Sequence, residues 1–495
     1  MTRPLEQAAE PHRLKRVVIE PLTRVEGHGK VTLLLDEANK VRQARLHIVE
    51  FRGFEKFIQG RPYWELPVVV QRLCGICPVS HHLAAAKAVD RLVGVSQLTP
   101  AAEKLRRLLH RGQILQSHAV HFFHLASPDL LFGFDDAVSH RNLLGLIADR
   151  PDIALQGVKL RKFGQQVIAA VAGKRIHGVA AIPGGMNHPL SVAARDALLS
   201  EMDQVLAWAQ GAVALVKRLY AANATNYNEF AAIRSNTVSL VREDGALELY
   251  HGGLRAKDAQ GRLLFDHLSC QRYFDIIHEQ TKPWSYMKFP FLVDYGTENG
   301  WYRVGPLARV NNCDFIATPR AETERREFMA SANGEPVQAT LAYHWARMVE
   351  LLHAAEGIEA LLLDPEILGT ELRTSGEACQ EGIGVIEAPR GTLIHHYRIN
   401  EEGLVEKANL IVATTHNNQA MNESIRQVAS RYLDGRVLTE ALLNHIEVAI
   451  RAYDPCLSCA THALGKMPLQ VELVDAQGEV VDRIVKGSHA DQAGR

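Results

Sequence analysis

Four of the seven cysteines stand in two Cys-x-x-Cys pairs, Cys74 with Cys77 and Cys456 with Cys459, close to opposite ends of the sequence. Two intervening residues let both sulfurs of a pair turn toward one metal ion, so each pair is a two-thiolate clamp. Four thiolates gathered without a metal repel one another and take up protons; their convergence makes physical sense around a strongly cationic centre. Structural zinc also uses two such pairs, commonly with roughly 15 to 20 residues between them. Here most of the chain lies between the pairs, and spacing leaves zinc and a functional soft-metal site both open. The odd cysteine count fits a reducing compartment better than a disulfide framework, and Cys270, Cys313 and Cys379 are expected to be buried small hydrophobes.

Each clamp needs a helix end to hold it. Arg72 to His81 runs into an Ala-rich helical pattern, and Asp454 to His462 follows another over Glu440 to Tyr453. Thr99-Pro100 opens a helix with a capping hydroxyl and a proline in the first turn, and its apolar spacing continues through Leu125 until Ser127-Pro128. Helices are also expected over Ser191 to Tyr220 and Thr340 to Leu363. Arg16 to Val49 alternates around a turn at Asp36 to Asn39, Thr237 to Phe265 has strand-like patches broken by Asp244-Gly245 and Gly252-Gly253, and Gly391 to Thr415 is β-rich. The pattern is α+β and predominantly helical, a central long-helix bundle with peripheral β-hairpins. The expected organisation is a mobile tail over residues 1–16, a single catalytic domain over 17–462 and an extension over 463–495.

The chain has 495 residues, 47% of them hydrophobic, enough for a substantial core. Lys and Arg number 55 against 56 Asp and Glu, which gives no electrostatic reason to expect nucleic acid or an anionic membrane surface. No apolar run is long enough for a secretory signal or a membrane span, and the chain is read as soluble and cytoplasmic.

The residues around the cysteines carry more than the cysteines alone. Arg-x-Cys-Gly-x-Cys-x-x-x-His at Arg72 to His81 and Asp-Pro-Cys-x-x-Cys-x-x-His at Asp454 to His462 resemble the paired signatures of the nickel-iron hydrogenase large subunit. Thr23-Arg24-Val25-Glu26-Gly27-His28, Arg52-Gly53-Phe54-Glu55, Gly173-Lys174 to Pro183-Gly184-Gly185, Glu387-Ala388-Pro389-Arg390-Gly391 and Val412 to Thr415 resemble further family segments, so the likeness runs from about Val17 to His462. It implies the large-subunit fold and reversible heterolytic cleavage of H2 at a Ni-Fe centre, with carbon monoxide and two cyanides on the iron. Carried over, Cys74 and Cys456 are terminal nickel ligands and Cys77 and Cys459 bridge nickel and iron. Soft thiolates suit such an electron-rich site. Cys456 receives the proton and Glu26 carries it onward, a role that a partly desolvated carboxyl can fill. Arg390 is the cation over the diatomic ligands, Pro389 lies beside it, Thr414 offers a hydroxyl to a cyanide and His81 hydrogen-bonds near a bridging sulfur. Glu55, the Leu410 carbonyl and the His462 imidazole match positions that hold a magnesium ion.

Other signals carry less. His118, His121 and His124 recur every third residue and read as packing or partner-facing side chains. Ser117 stands where periplasmic members of the family have an aspartate, which removes a carboxylate from that position. Neither Gly173-Lys174 nor Pro183-Gly184-Gly185 completes a phosphate loop. No further cysteine grouping suits an iron-sulfur relay and no Gly-x-Gly-x-x-Gly is present, so iron-sulfur clusters, FMN and NAD are expected only in partner subunits, an iron-sulfur small subunit and NAD-reducing diaphorase subunits. Glu387 to Tyr397 and Asp454 to Ala463 are most similar to the soluble NAD-reducing subgroup. The family also implies maturation chaperones and an endopeptidase that cuts after His462, with 463–495 as a hairpin-bearing extension of a precursor. A quinone-module subunit of the respiratory complex I type, or a zinc-stabilised scaffold, are the alternatives.

Overall fold

Helices start where the sequence supplies caps. The computed structural model describes residues 15–20, 22–38, 40–48, 53–433, 439–461, 469–474 and 480–486. In it, the Thr99 hydroxyl accepts from Ala102 N and opens helix Pro100–Val120. That helix does not stop at Ser127-Pro128. It passes through a π-helical stretch, His121–Ala126, into a further helix, Ser127–Phe132, where Pro128 sits in the first turn and its missing N–H costs nothing. Pro100–Val120 packs against Pro151–Ala172 and Ala342–Leu363, and the last also packs on Met202–Ala222. These four long helices form the expected central bundle, though Pro151–Ala172 was not among the helices expected and the stretch Ser191 to Tyr220 divides into Val192–Leu199 and Met202–Ala222. Among the described residues no helix is long and apolar enough to cross a membrane.

Among the described residues, three sheets of three or more strands accompany it. Lys15–Ile19, Gly29–Leu35 and Val41–Ile48 form an antiparallel sheet, its second turn closed by Asp36 Oδ1, which accepts from Ala38 N and Lys40 N. Asn236–Val241, Gly253–Lys257 and Leu263–Leu268 form a second, with Tyr302–Arg303 added in parallel. Glu381–Ala388, Gly391–Ile399 and Val405–Ile411 form a third, antiparallel throughout. An apolar cluster that includes Val238, Leu254, Ile383, Val385 and Ile394 joins the last two sheets. Val412 to Thr415 leaves the β-rich stretch, since Ala413–His416 is a helical turn. Leu469–Val474 and Val480–Lys486 pair antiparallel, the hairpin expected of the C-terminal segment.

One contact fixes the height of the first clamp. The Ala-rich helix Pro78–Leu92 lies on the third sheet at Gly382 and Gly384, where an added Cβ would come within 2.1 Å of the Ala88 and Ala84 carbonyl oxygens respectively. Small residues on both sides let backbone approach backbone, so the helix whose first residue follows Cys77 is seated firmly on the strands.

Candidate metal centre

Cys77 is the N-cap of Pro78–Leu92, and Cys74 closes the preceding 3-10 turn. The loop between them is pinned from outside: Gln113 and Gln116 each donate to the Ile76 carbonyl at 2.9 Å, and the Cys74 carbonyl accepts from His177 at 3.1 Å. The Cys74 sulfur accepts from the backbone N–H groups of Ile76 and Cys77, both at 3.2 Å. Cys456 and Cys459 follow helix Glu440–Ala452 through Asp454, whose φ of 54° turns the chain back on itself.

The two clamps meet. Cys74 and Cys456 sulfurs are 3.3 Å apart, Cys456 and Cys459 3.0 Å, Cys77 and Cys459 3.8 Å, and all four lie within 4.8 Å of one another. None is more than 5% exposed. Among the described residues this is the one group of three or more His, Cys, Asp or Glu side chains close enough to share an ion. Its electrostatics ask for a cation. Neighbouring S–H groups of Cys456, Cys459 and Cys74, opposed by burial, hold Cys77 well below the ordinary thiol range, whereas burial and the adjacent sulfurs push Cys456 and Cys459 well above it. One negative charge is accommodated and further ones are resisted; a soft dication removes that resistance, and this donor set fits nickel and iron.

Glu26 arrives on the far side of Cys456. Residues Glu26 and Cys456 form an isolated parallel bridge, Leu457 N donates to the Glu26 carbonyl at 3.0 Å, and Glu26 Oε2 lies 3.0 Å from Cys456 Sγ while accepting from Ser458 N at 3.2 Å. Gly27 makes that approach possible: its φ is 82°, and a Cβ there would fall 2.7 Å from Ser458 N. The motif around Glu26 anchors the loop. Thr23 N donates to Glu447, Arg24 pairs with Asp129 at 2.6 Å, and Arg451 bonds both Asp129 and the Thr23 hydroxyl.

Arg390 covers the cluster from the third sheet. It is 3% exposed; Nη2 donates to Asp454 Oδ1 at 3.0 Å, Nη1 lies 3.4 Å from Ser117 Oγ, and Nε has no partner among the described residues. Burial works against its charge, but Asp454 and the sulfurs of Cys456, Cys77 and Cys74 outweigh burial and hold the guanidinium protonated. It is therefore an electrostatic anchor and a poor base. Asp454 is the carboxylate partner of the guanidinium, and Ser117 meets it through a hydroxyl. The Pro389 and Ala388 carbonyls accept from buried Arg309, at 3.2 and 3.0 Å, which fixes the segment carrying Arg390. Thr414 Oγ1 accepts from Cys456 N at 2.9 Å, leaving its hydroxyl hydrogen to donate elsewhere. His81 lies beside Cys77, helping to hold its thiol down, and its Nδ1 hydrogen-bonds His395 Nε2 at 3.1 Å.

Glu55 lies apart from the thiols. Its Oε1 accepts from Leu410 N at 2.8 Å and lies 3.4 Å from Lys288 Nζ, with the Glu279 carboxylate 3.2 Å from the same ammonium. Burial pushes both carboxyls up against the pull of Lys288. The two carboxylates share the Lys288 ammonium as their cation. Leu410 meets Glu55 through its N–H, where the carbonyl was expected beside a metal, and His462 lies outside the described residues.

His118 bonds Glu350 at 2.7 Å and His121 bonds the Arg451 carbonyl at 2.7 Å, so both are packing side chains. The lone cysteines correct the expectation of uniform burial: Cys313 is buried, its thiol pushed up to about 12, but Cys270 is half-buried and Cys379 exposed. Asp454, Arg309 and the glutamines under Ile76 were not picked out from sequence. Asp454 stands inside the second motif and could have been; the others carry no local signal.

A nickel-dependent hydrogenase family profile matches residues 52–133 and 223–462, and a HoxL-like profile matches 16–51. The chain belongs to the nickel-dependent hydrogenase family. The NAD-reducing hydrogenase HoxS subunit beta of Cupriavidus necator is 48% identical over 485 residues, covering 94% of this chain and 99% of that protein. An F420-non-reducing hydrogenase subunit of Methanothermobacter thermautotrophicus is 42% identical, covering 95% of this chain and 100% of that protein. Among solved structures, an NAD+-reducing [NiFe]-hydrogenase in the H2-reduced state superposes with a TM-score of 0.89 at 57% identity, covering 90% of this chain and 99% of that one. The fold is that of the nickel-iron hydrogenase large subunit, and the activity of the family is cleavage of H2.

Proposed function

We propose that this hydrogenase large subunit would hold a Ni-Fe centre on Cys74, Cys77, Cys456 and Cys459, Cys74 and Cys456 toward nickel and Cys77 and Cys459 shared with iron as the family likeness implies, and that it works in a cytoplasmic complex that passes electrons from H2 to NAD. The observation that carries the reading is the convergence of four buried sulfurs within 4.8 Å, with Glu26 on one side and Arg390 on the other. When bound, the Ni-Fe centre, with carbon monoxide and cyanides on its iron, supplies the site at which H2 is cleaved heterolytically; the sum is two protons and two electrons.

The chain's residues handle the proton and the surroundings. Cys456 Sγ holds a proton, and Glu26 Oε2, at 3.0 Å, takes it outward because that side chain is only partly buried. Arg390 offers fixed positive charge and N–H groups to the diatomic ligands, Pro389 closes the wall beside it, and the Thr414 hydroxyl donates to a cyanide. His81 donates toward Cys77. Burial of all four cysteines excludes water. By the family likeness, a magnesium ion would be held by Glu55, the Leu410 carbonyl and His462. Electrons leave through an iron-sulfur small subunit and diaphorase subunits carrying FMN and NAD, a reading supported by the HoxS relative. Maturation chaperones load the metals, and an endopeptidase cuts after His462; the family match ending at residue 462 supports that boundary.

Infrared spectroscopy of the purified complex under H2, with elemental analysis, tests the centre. Metal-bound carbon monoxide and cyanide bands with nickel and iron in comparable amounts are expected; zinc, or no metal, refutes it. Glu26→Gln should abolish exchange of deuterium gas with water, and exchange at the full rate would exclude Glu26 as the route.

A further inference from the structure

We propose that Tyr397 and His395 set the tautomer of His81, so that an imidazole N–H rather than a lone pair faces the Cys77 sulfur. The proposal rests on the Ni-Fe reading of the four cysteines. Its observation is a buried pair of hydrogen bonds, Tyr397 hydroxyl to His395 Nδ1 at 2.6 Å and His395 Nε2 to His81 Nδ1 at 3.1 Å, that ends with His81 beside the Cys77 thiol. His81, His395 and Tyr397 are at most 1% exposed.

The backbone explains the alignment. His395 and Tyr397 are two apart on strand Gly391–Ile399 and face inward toward helix Pro78–Leu92, while His396 between them points the other way, to Tyr273 and Glu381. His81 lies four residues beyond Cys77, one helical turn along the same face. With His81 Nδ1 turned to His395, Nε2 is the nitrogen left for the sulfur.

Hydrogen bonds in such a chain all point one way, and both ends decide which. Tyr397 is fully buried, and among the described residues its hydroxyl has one partner, His395 Nδ1. The hydroxyl must donate there, because the reverse polarity leaves a buried O–H with nothing to donate to. His395 Nδ1 is then an acceptor, His395 Nε2–H donates to His81 Nδ1, and His81 Nε2–H donates to Cys77. At the other end, a metal-bound Cys77 is a thiolate with no proton to give, so it can only accept. The reverse polarity fails at both termini. Tyr397 and His395 are thus positioning residues that act through His81.

An N–H donated to a thiolate withdraws electron density from sulfur, and losing it makes Cys77 a stronger donor to the iron. In Tyr397→Phe the hydroxyl that makes His395 Nδ1 an acceptor is gone, His81 can turn its lone pair to the sulfur, and the carbon monoxide stretch of the loaded centre should move to lower wavenumber. The measurement is infrared spectroscopy of the whole complex, with nickel and iron content and thermal unfolding read on the same sample. A second pair tests the same link: His395→Gln retains an N–H for His81 Nδ1 and should keep the wild-type band, while His395→Leu should lower it. A fully loaded Tyr397→Phe protein with an unmoved band overturns the proposal. So does a Tyr397→Phe chain that unfolds like wild type but has lost its metals, since the hydroxyl would then serve assembly. If Tyr397→Phe does not fold, equal bands in the two His395 variants overturn it. Wild-type protein without carbon monoxide and cyanide bands would instead remove the Ni-Fe reading itself.

Discussion

Arg309→Met should destabilise the protein more than any surface change and should displace Arg390 without touching a metal ligand. Arg309 is fully buried between two fully buried carboxylates, with Nε 2.6 Å from Glu350 Oε2 and Nη1 2.7 Å from Glu387 Oε2. Burial alone would raise the Glu350 carboxyl, but Arg309 and His118 hold it at about 2; burial pushes Glu387 up despite the same guanidinium. Burial also lowers His118 to about 4, so near neutral pH that imidazole is uncharged and Arg309 is the ion partner of Glu350. Removing one member of a buried pair costs about 3–5 kcal/mol because the other charge is stranded, and a net stability of about 5–15 kcal/mol leaves little after that loss. The Ala388 and Pro389 carbonyls lose their donor too, which frees the segment ahead of Arg390. Urea unfolding should show a loss in that range. Arg309→Met combined with Glu350→Gln and Glu387→Gln should recover most of it, because the stranded charges are gone. A single variant within about 1 kcal/mol of wild type, or a triple variant no better than the single, would refute the reasoning.

Three further outcomes follow from the geometry. Gly27→Ala forces a Cβ against Ser458 N at a left-handed backbone position, and misplacing Glu26 from Cys456 should slow hydrogen-deuterium exchange about 100-fold; a wild-type rate would contradict the contact. Lys87, pushed down to about 8 by burial, should make stability rise between pH 8 and 10.5. In that window the unfolded chain binds the extra proton, and the neutral amine still has two N–H groups for the Tyr250 and Val385 carbonyls. The gain is on the order of 2–3 kcal/mol, read from unfolding midpoints, and it should vanish in Lys87→Met. Alkylation of the folded, metal-loaded chain should label Cys379 first and Cys313 last; mass mapping that found Cys313 modified early would contradict its burial.

The cysteine pairs were legible because type and spacing coincide there, and Glu26, Arg390 and Thr414 because each sits in a short motif. What supports them was not. Asp454 pairs with Arg390 across 64 positions of sequence, a relation that its motif spacing does not encode. His395 and Tyr397 alternate as any strand residues do, and their partner is on a helix more than 300 positions earlier. Ser127-Pro128 reads as a stop because proline breaks helix interiors, yet here it begins a new first turn after a π-helical one. The buried Arg309, Glu350 and Glu387 cluster is a tertiary fact: each residue looks like surface charge until the bundle closes over it. Cysteine count carries no information on exposure, which is why the exposed Cys379 departs from the expectation of burial.

The juxtaposition of Cys77 with Cys456 has a mechanical side. Ions bound to sulfurs from both clamps tie residues near the two termini into a covalent ring, and closing a loop of that length removes freedom from the unfolded chain worth on the order of 6 kcal/mol. A protease cut in any exposed loop between them would then open the ring without releasing a fragment, and the nicked halves would stay tethered until the ions were stripped.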